Sequence, residues 1–164
     1  MLKLYYSLGQ LSFGKLMKVY EEGNLENARQ EHPDLPVPAA MQMAEQAFYQ
    51  YLKEVFFSTS GSLYAVWEDK GCYCSALRLE PYRDGLLLAA LETAPTHRKK
   101  GYGEKLVRSV LAEMGNQKIY SHVSKTNTAS LNLHSKCGFR RISESAVYLD
   151  GSVNSKCCTL CYEP

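Results

Sequence analysis

Arg98-Lys99-Lys100-Gly101-Tyr102-Gly103 is the stretch that decides the fold. An apolar run, Leu86 to Leu91, leads into it, and Leu106, Val107, Val110, Leu111 and Met114 follow at helical spacing. The order is strand, short loop, glycine pair, helix. Glycine permits a tight turn and lets a ligand approach the backbone closely. The first N–H groups of a helix lack partners inside it and sit at the positive end of its dipole, where phosphate binds well. Arg98, Lys99 and Lys100 bring positive charge to the same place. The stretch reads as a pyrophosphate cradle; the alternative is a plain helix start with a solvated basic cluster. A nicotinamide fingerprint would need a third glycine. A nucleotide P-loop would need Gly-Lys-Ser/Thr, whereas Glu104 and Lys105 follow Gly103.

The surrounding chain fits one domain spanning residues 1–164, a length that supports a real core. With 45% apolar and 22% charged residues it belongs among globular rather than disordered chains. A net charge of +2 is too small to argue for nucleic acid, even with Lys105 added to the basic cluster. No apolar run approaches the length of a membrane span, and the N-terminus lacks a signal-peptide layout, so a cytoplasmic protein is expected. The six cysteines, Cys72, Cys74, Cys137, Cys157, Cys158 and Cys161, are then expected as reduced, mostly buried thiols. Their pairs lack the usual zinc-knuckle spacing, and no metal is expected.

Leu2 to Tyr6 reads as an opening strand. Ser12 caps a first helix with Phe13, Leu16, Met17 and Tyr20 on one stripe and Gly23 as its end. Asn24 to Arg29 is polar and undecided, and the prolines at 33, 36 and 38 mark a loop. A second helix covers Ala39 to Phe57. The period then changes to alternation. Leu63–Glu68, Cys72–Glu80 and Leu86–Thr93 read as an antiparallel meander with turns at Asp69-Lys70-Gly71 and Pro81–Gly85. The helix opened by the cradle ends near Gly115 and Asn116 and leads to a strand, Lys118–Val123, that can lie parallel to Leu86–Thr93. Asn127 to Lys136 is a helix stopped by Gly138. Phe139–Leu149 and Ser155–Tyr162 close the chain as a hairpin. The expected class is α/β, a mixed sheet flanked by about four helices.

With this order in place, the sequence resembles the GNAT superfamily of acetyl-CoA-dependent N-acetyltransferases. Two blocks carry the resemblance. Leu91-Glu92-Thr93-Ala94-Pro95-Thr96-His97 and the cradle match the family's strand end, loop and Arg/Gln-x-x-Gly-x-Gly/Ala signature. Val123-Ser124-Lys125-Thr126-Asn127, with Ala129, Leu131, Leu133 and Lys136-Cys137-Gly138-Phe139, matches its valine, asparagine, helix and terminal Gly-Phe. The resemblance implies a mostly antiparallel sheet splayed at one parallel strand pair. It implies acetyl transfer from acetyl-CoA to a primary amine of a small molecule or peptide, by direct attack in a ternary complex. The alternative is a module that binds or senses acyl-CoA without turnover. Expected partners are thus a coenzyme A thioester and an amine-bearing acceptor, with a homodimer left open and neither nucleic acid nor membrane expected.

The resemblance also implies site roles. Backbone N–H groups of Arg98, Lys99, Lys100, Gly101, Tyr102, Gly103 and Glu104 would bind the coenzyme's pyrophosphate. Leu91 to Thr93 would pair with the pantetheine arm, and a backbone N–H there would polarise the thioester carbonyl. Asn127 would contact the coenzyme. The family usually places a tyrosine seven residues after the asparagine as proton donor; His134 stands there, on one helical face with Asn127 and Leu131. For the base that takes the amine proton, His122 is placed ahead of Glu92. Glu21, Glu22, Glu26, Glu31 and Asp34 sit in the region that would wall the acceptor site, and could suit a cationic amine.

Overall fold

In the computed structural model, which describes residues 1–164, the strands are β1 (Leu2–Tyr5), β2 (Leu63–Asp69), β3 (Cys72–Tyr82), β4 (Gly85–Thr93), β5 (Lys118–Ser124), β6 (Arg140–Ser143), β7 (Ala146–Val147), β8 (Val153–Asn154) and β9 (Cys157–Tyr162). The helices are α1 (Phe13–Val19), α2 (Glu21–Glu31), α3 (Val37–Tyr51), α4 (Tyr102–Met114) and α5 (Thr128–Lys136). Seven strands form one sheet in the order β1-β2-β3-β4-β5-β9-β6, antiparallel throughout except for the central β4–β5 pair. This is the mixed α/β architecture expected from the sequence, with five helices rather than four.

Period-two alternation in the meander sorts side chains between two cores. Leu63, Ala65, Leu77, Leu79 and Leu88 pack against Leu106, Val107, Val110 and Leu111 of α4. Tyr64, Val66 and Ala76 face the other way, onto Leu16, Met17, Val19 and Tyr20, and onto Leu52 and Phe56 beyond α3. The amphipathic stripe of α4 is thus one half of a sandwich, and the N-terminal helices are the other.

Three expectations are corrected. Gly23 does not end the first helix: α1 stops at Val19, and Gly23 lies inside α2, which also takes in Asn24 to Arg29. That helix buries only Asn24 and Ala28, so its sequence carries almost no apolar stripe. The proline loop is shorter than expected, because α3 starts at Val37 with Pro38 in its first turn, where a missing N–H costs little. The closing hairpin is split. β6 pairs with β9, while β7 and β8 form a separate two-stranded arm. That arm reaches back over the sheet, where the Tyr82 hydroxyl donates to the Val147 carbonyl.

The feature that positions the site lies in β4. Its parallel pairing with β5 covers only Gly85–Leu88 against Lys118–Ser121. Beyond that, β4 follows β3 to Thr93 while β5 follows β9 to Ser124, so the two strands part. At the point of parting β4 bulges: Arg78 pairs with Ala89 and Ala76 with Glu92, leaving Ala90 and Leu91 opposite Leu77 alone. Ala90 has φ +51°, a left-handed conformation uncommon for a side-chain-bearing residue. The bulge is held by a relay of buried hydroxyls. Tyr64 donates to the Tyr20 oxygen at 2.7 Å, and Tyr20 donates to the Ala90 carbonyl at 2.7 Å. Burial pushes both phenols well above their ordinary pKa, so both stay protonated donors.

Tyr20→Phe strands the Ala90 carbonyl and the Tyr64 hydroxyl together. It should cost about 1–3 kcal/mol in urea unfolding. Adding Tyr64→Phe should cost less than its effect alone, because the orphaned hydroxyl is removed with it. Strict additivity of the two substitutions would show that the relay does not hold the bulge.

Candidate active site

Where β4 and β5 part, two cavities open on opposite sides of the β4 terminus. The first lies at the start of α4. Its lining includes Thr93, Arg98, Lys99, Gly101, Tyr102, Gly103 and Glu104, with Ala129, Asn132, Leu133 and Lys136 from α5, and it encloses about 250 Å³. Lys99 (φ +60°) and Gly101 (φ +77°) are left-handed, which coils the loop into the kind of backbone concavity that favours anions. Gly101 caps the helix without a side chain, and the first helical bond runs from Lys105 N–H to Gly101 O at 3.0 Å. The amides of Tyr102, Gly103 and Glu104 are therefore left without helical partners. Gly103 meets a packing demand. A Cβ there would come within 3.1 Å of Leu133 Cδ1 and 3.2 Å of Thr93 Oγ1, so glycine lets α4 sit close to both β4 and α5. The Tyr102 hydroxyl donates to Asp69 at 2.7 Å, tying the helix start to the β2–β3 turn.

The basic side chains are used differently from the sequence expectation. Arg98 turns to α2, with Nη1 2.6 Å from Glu22, and its Nε donates to the Thr93 carbonyl at 3.3 Å. Lys100 bonds the Thr96 carbonyl at 2.9 Å. The cavity is thus built of main-chain amides more than of these two cations. Asn127 caps α5, its Oδ1 accepting from Ser130 N–H at 3.0 Å, and it does not line the cradle. Asn132 and Lys136 do line it, and sequence reading overlooked both. Their i, i+4 spacing on a helix entering beside the cradle was the available signal.

The second cavity lies on the face carrying α1 to α3. It holds about 550 Å³ and is lined by Tyr20, Gly23, Asn24, Asn27, Phe48, Tyr51, Arg78, Ala90 and Glu92. Glu92 and Thr93 are neighbours on β4 and so point to opposite faces, Glu92 into this cavity and Thr93 into the cradle. Burial raises the Glu92 pKa; Arg98 opposes the shift and Glu22 adds to it. Of the acidic residues expected to wall an acceptor, Glu22 is taken by Arg98. None of Glu21, Glu22, Glu26, Glu31 and Asp34 lines this cavity.

His122 lies one residue past Ser121, the last β5 partner of β4, with its ring edge-on to Tyr82 at 5.3 Å and Tyr148 at 5.1 Å. Both ring nitrogens are buried without partners. Burial, with the Arg83 charge, lowers its pKa, so the ring is neutral at pH 7. It does not line the Glu92 cavity. His134 is 1% exposed and lines neither cavity. Its Nδ1 lies 2.8 Å from the Ser130 carbonyl, so Nδ1 carries the proton, and Nε2 keeps a lone pair with no partner. Burial lowers its pKa, against the opposing pull of that carbonyl. A tyrosine could not bond its own helix in this way; the imidazole does, and its ring folds back against Phe139 at 4.9 Å.

A family model for the acetyltransferase (GNAT) family matches residues 25–139, more than two thirds of the chain. The chain belongs to that family. No curated protein matches it in sequence. Among solved structures, it is similar to the PaiA N-acetyltransferase of Thermoplasma acidophilum in complex with coenzyme A, at 12% identity and TM-score 0.63, covering 100% of this chain and 99% of that one. It is similar to an IAA acetyltransferase of Bacillus cereus at 18% identity and TM-score 0.60, with coverage of 100% and 99%. A GNAT family acetyltransferase of Elizabethkingia anophelis with acetyl-CoA bound gives 17% identity and TM-score 0.55, with coverage of 73% and 82%. At these identities the likeness is one of fold. No helix of the chain is long and apolar enough to cross a membrane.

The Glu92 shift has a stability consequence. A raised carboxyl pKa means that folding favours the neutral form. That contribution is complete below the ordinary glutamate pKa and is lost as pH rises through the raised one. Glu92→Gln should therefore unfold at a higher temperature than the parent near about pH 8, and at the same temperature near about pH 4. A lower midpoint at about pH 8 would place the charged carboxylate in a stabilising contact instead.

Proposed function

We propose that the protein transfers an acetyl group from acetyl-CoA to a primary amine held in the Glu92 cavity. The observation that carries this reading is the parting of β4 from β5 between an amide-lined cradle on one side and a carboxylate-bearing cavity on the other. The pyrophosphate of the coenzyme would sit on the amides at 99 to 104, the pantetheine arm along Leu91 to Thr93, and the thioester in the notch. Asn132 and Lys136 would flank the coenzyme from α5.

The bulge supplies the electrophilic element. All peptide bonds are trans, so the Leu91 N–H points opposite to the Ala90 carbonyl of the same peptide. That carbonyl is fixed toward Tyr20. The Leu91 N–H is thus aimed away from the N-terminal helices, toward the side on which the coenzyme is proposed to lie. There it can stabilise charge developing on the thioester oxygen. The amine attacks only when neutral. Glu92, raised in pKa by burial and facing the acceptor cavity, takes its proton directly or through one water. The nitrogen–carbon bond forms and the carbon–sulfur bond breaks, and the electron pair leaves on the coenzyme thiolate, which is protonated from solvent. His122, neutral and partnerless, is the second candidate base, reached through water. His134 is assigned a packing role, since Nε2, the nitrogen not bonded to the Ser130 carbonyl, is buried and bears a lone pair rather than a proton.

The burial of a histidine where the family usually has a tyrosine favours one other reading, a module that binds acetyl-CoA without turnover. Coenzyme-dependent thermal stabilisation with thiol release in the presence of an amine panel separates the two. Release is expected here; stabilisation without release would establish the second reading. His134→Phe should leave kcat within about threefold of the parent. A loss of about a hundredfold would return the proton-donor role to His134.

A further inference from the structure

Arg78 projects from β3 into the Glu92 cavity, and no step of the proposed reaction uses it. Its guanidinium lies over two aromatic rings, 5.0 Å from the Tyr51 centroid and 5.6 Å from that of Phe56. It takes part in none of the protein's ion pairs, and its Nε is buried without a hydrogen-bond partner. A cation stripped of part of its water normally gains an anion in exchange. Here the only other charge in the lining is Glu92. No ion pair joins Arg78 to Glu92. The cavity therefore holds one cation and one carboxyl group at separate stations, and the rest of its lining is neutral: Tyr20, Gly23, Asn24, Asn27, Phe48, Tyr51 and Ala90.

That pattern is complementary to a molecule with an amine at one end and an anion at the other. The aromatic rings flank the guanidinium, and its buried Nε–H has no hydrogen-bond partner within the chain. A fixed planar fork matches a carboxylate, with two parallel N–H···O bonds, better than it matches a single oxygen. We propose that the acceptor is a small amine bearing a carboxylate, an amino acid or a close relative. Arg78 binds the carboxylate and sets the amine against Glu92 and the Ala90 bulge. This rests on the acetyl-transfer reading above for the identity of the reacting group, but not for the carboxylate site itself.

The test uses the standard L-amino acids, each matched with its carboxamide, and a second pair, β-alanine and O-phosphoethanolamine. Both thiol release with acetyl-CoA and calorimetric binding with coenzyme A present are read. For the best amino acid, the acid-to-amide ratio of affinities, taken as 1/KM and as 1/Kd, should be about ten or more. β-Alanine should be preferred to O-phosphoethanolamine. In Arg78→Met, which keeps an aliphatic stem over the rings, the acid-to-amide ratio should fall to near one, and Arg78→Lys should restore part of it. Equal affinity for acid and amide in the parent would overturn the proposal. So would a preference that survives Arg78→Met, a preference for the phosphate, or no binding of any acid. Amides acetylated as well as acids would remove the Arg78 role while leaving acetyl transfer intact. Carboxylate-dependent binding without thiol release would keep the Arg78 site and remove the transferase reading.

Discussion

A hydrogen bond between Tyr20 and the Ala90 carbonyl holds the structure at the place where its central sheet gives way. Without it, a left-handed alanine in the middle of a strand would have little to keep it there. With it, β4 gains one residue over β3, its side chains change face, and Leu91 and Thr93 turn toward α4 and α5 while Glu92 turns toward the N-terminal helices. The same bond orients a peptide plane. The bulge is thus both a geometric correction and the source of a directed N–H group, and its anchor comes from the helices that wall the Glu92 cavity. Tyr64, fully buried beneath Tyr20, ties that anchor back to the sheet.

Electrostatics around the site are largely settled within the chain. Arg98 is matched by Glu22, Lys100 by a carbonyl, and Arg108 by Glu104 and the Lys136 carbonyl. The cradle thus depends on amides left over at a helix start, which need no counter-charge of their own. The exceptions are instructive. Arg78 Nε and both His122 ring nitrogens are buried without partners, and Glu92 is half-buried with its pKa raised by burial. Of these, Arg78 and Glu92 line one cavity and His122 does not.

Much of this was legible in the sequence because its signals are local. The 3.6-residue stripe from Leu106 to Met114, the glycine pair before it and the alternation in Leu63–Glu68 each follow from the geometry of one element. The parallel pairing of β5 with β4 followed from the helix between them. What was not legible came from distant contacts. The polar helix α2 carries no apolar stripe, and Tyr20 reads as a core residue until its hydroxyl is seen on a strand seventy positions away. Arg78 gives no signal in a strand of alternating residues. Asn127 and His134 matched a motif, yet both use their polar atoms on their own helix. Motif position predicts where a backbone goes better than where a shorter side chain turns.

On the proposed function, the cradle amides and the bulge form one coenzyme site. Backbone amide chemical shifts of the 15N-labelled protein, followed during titration with acetyl-CoA, test it most directly. The amides of Leu91 and of residues 99 to 104 should move together along one saturation curve, and those of β1 and β6 should stay in place. Shifts confined to the basic loop, with Leu91 unmoved at saturation, would contradict a thioester seated at the bulge.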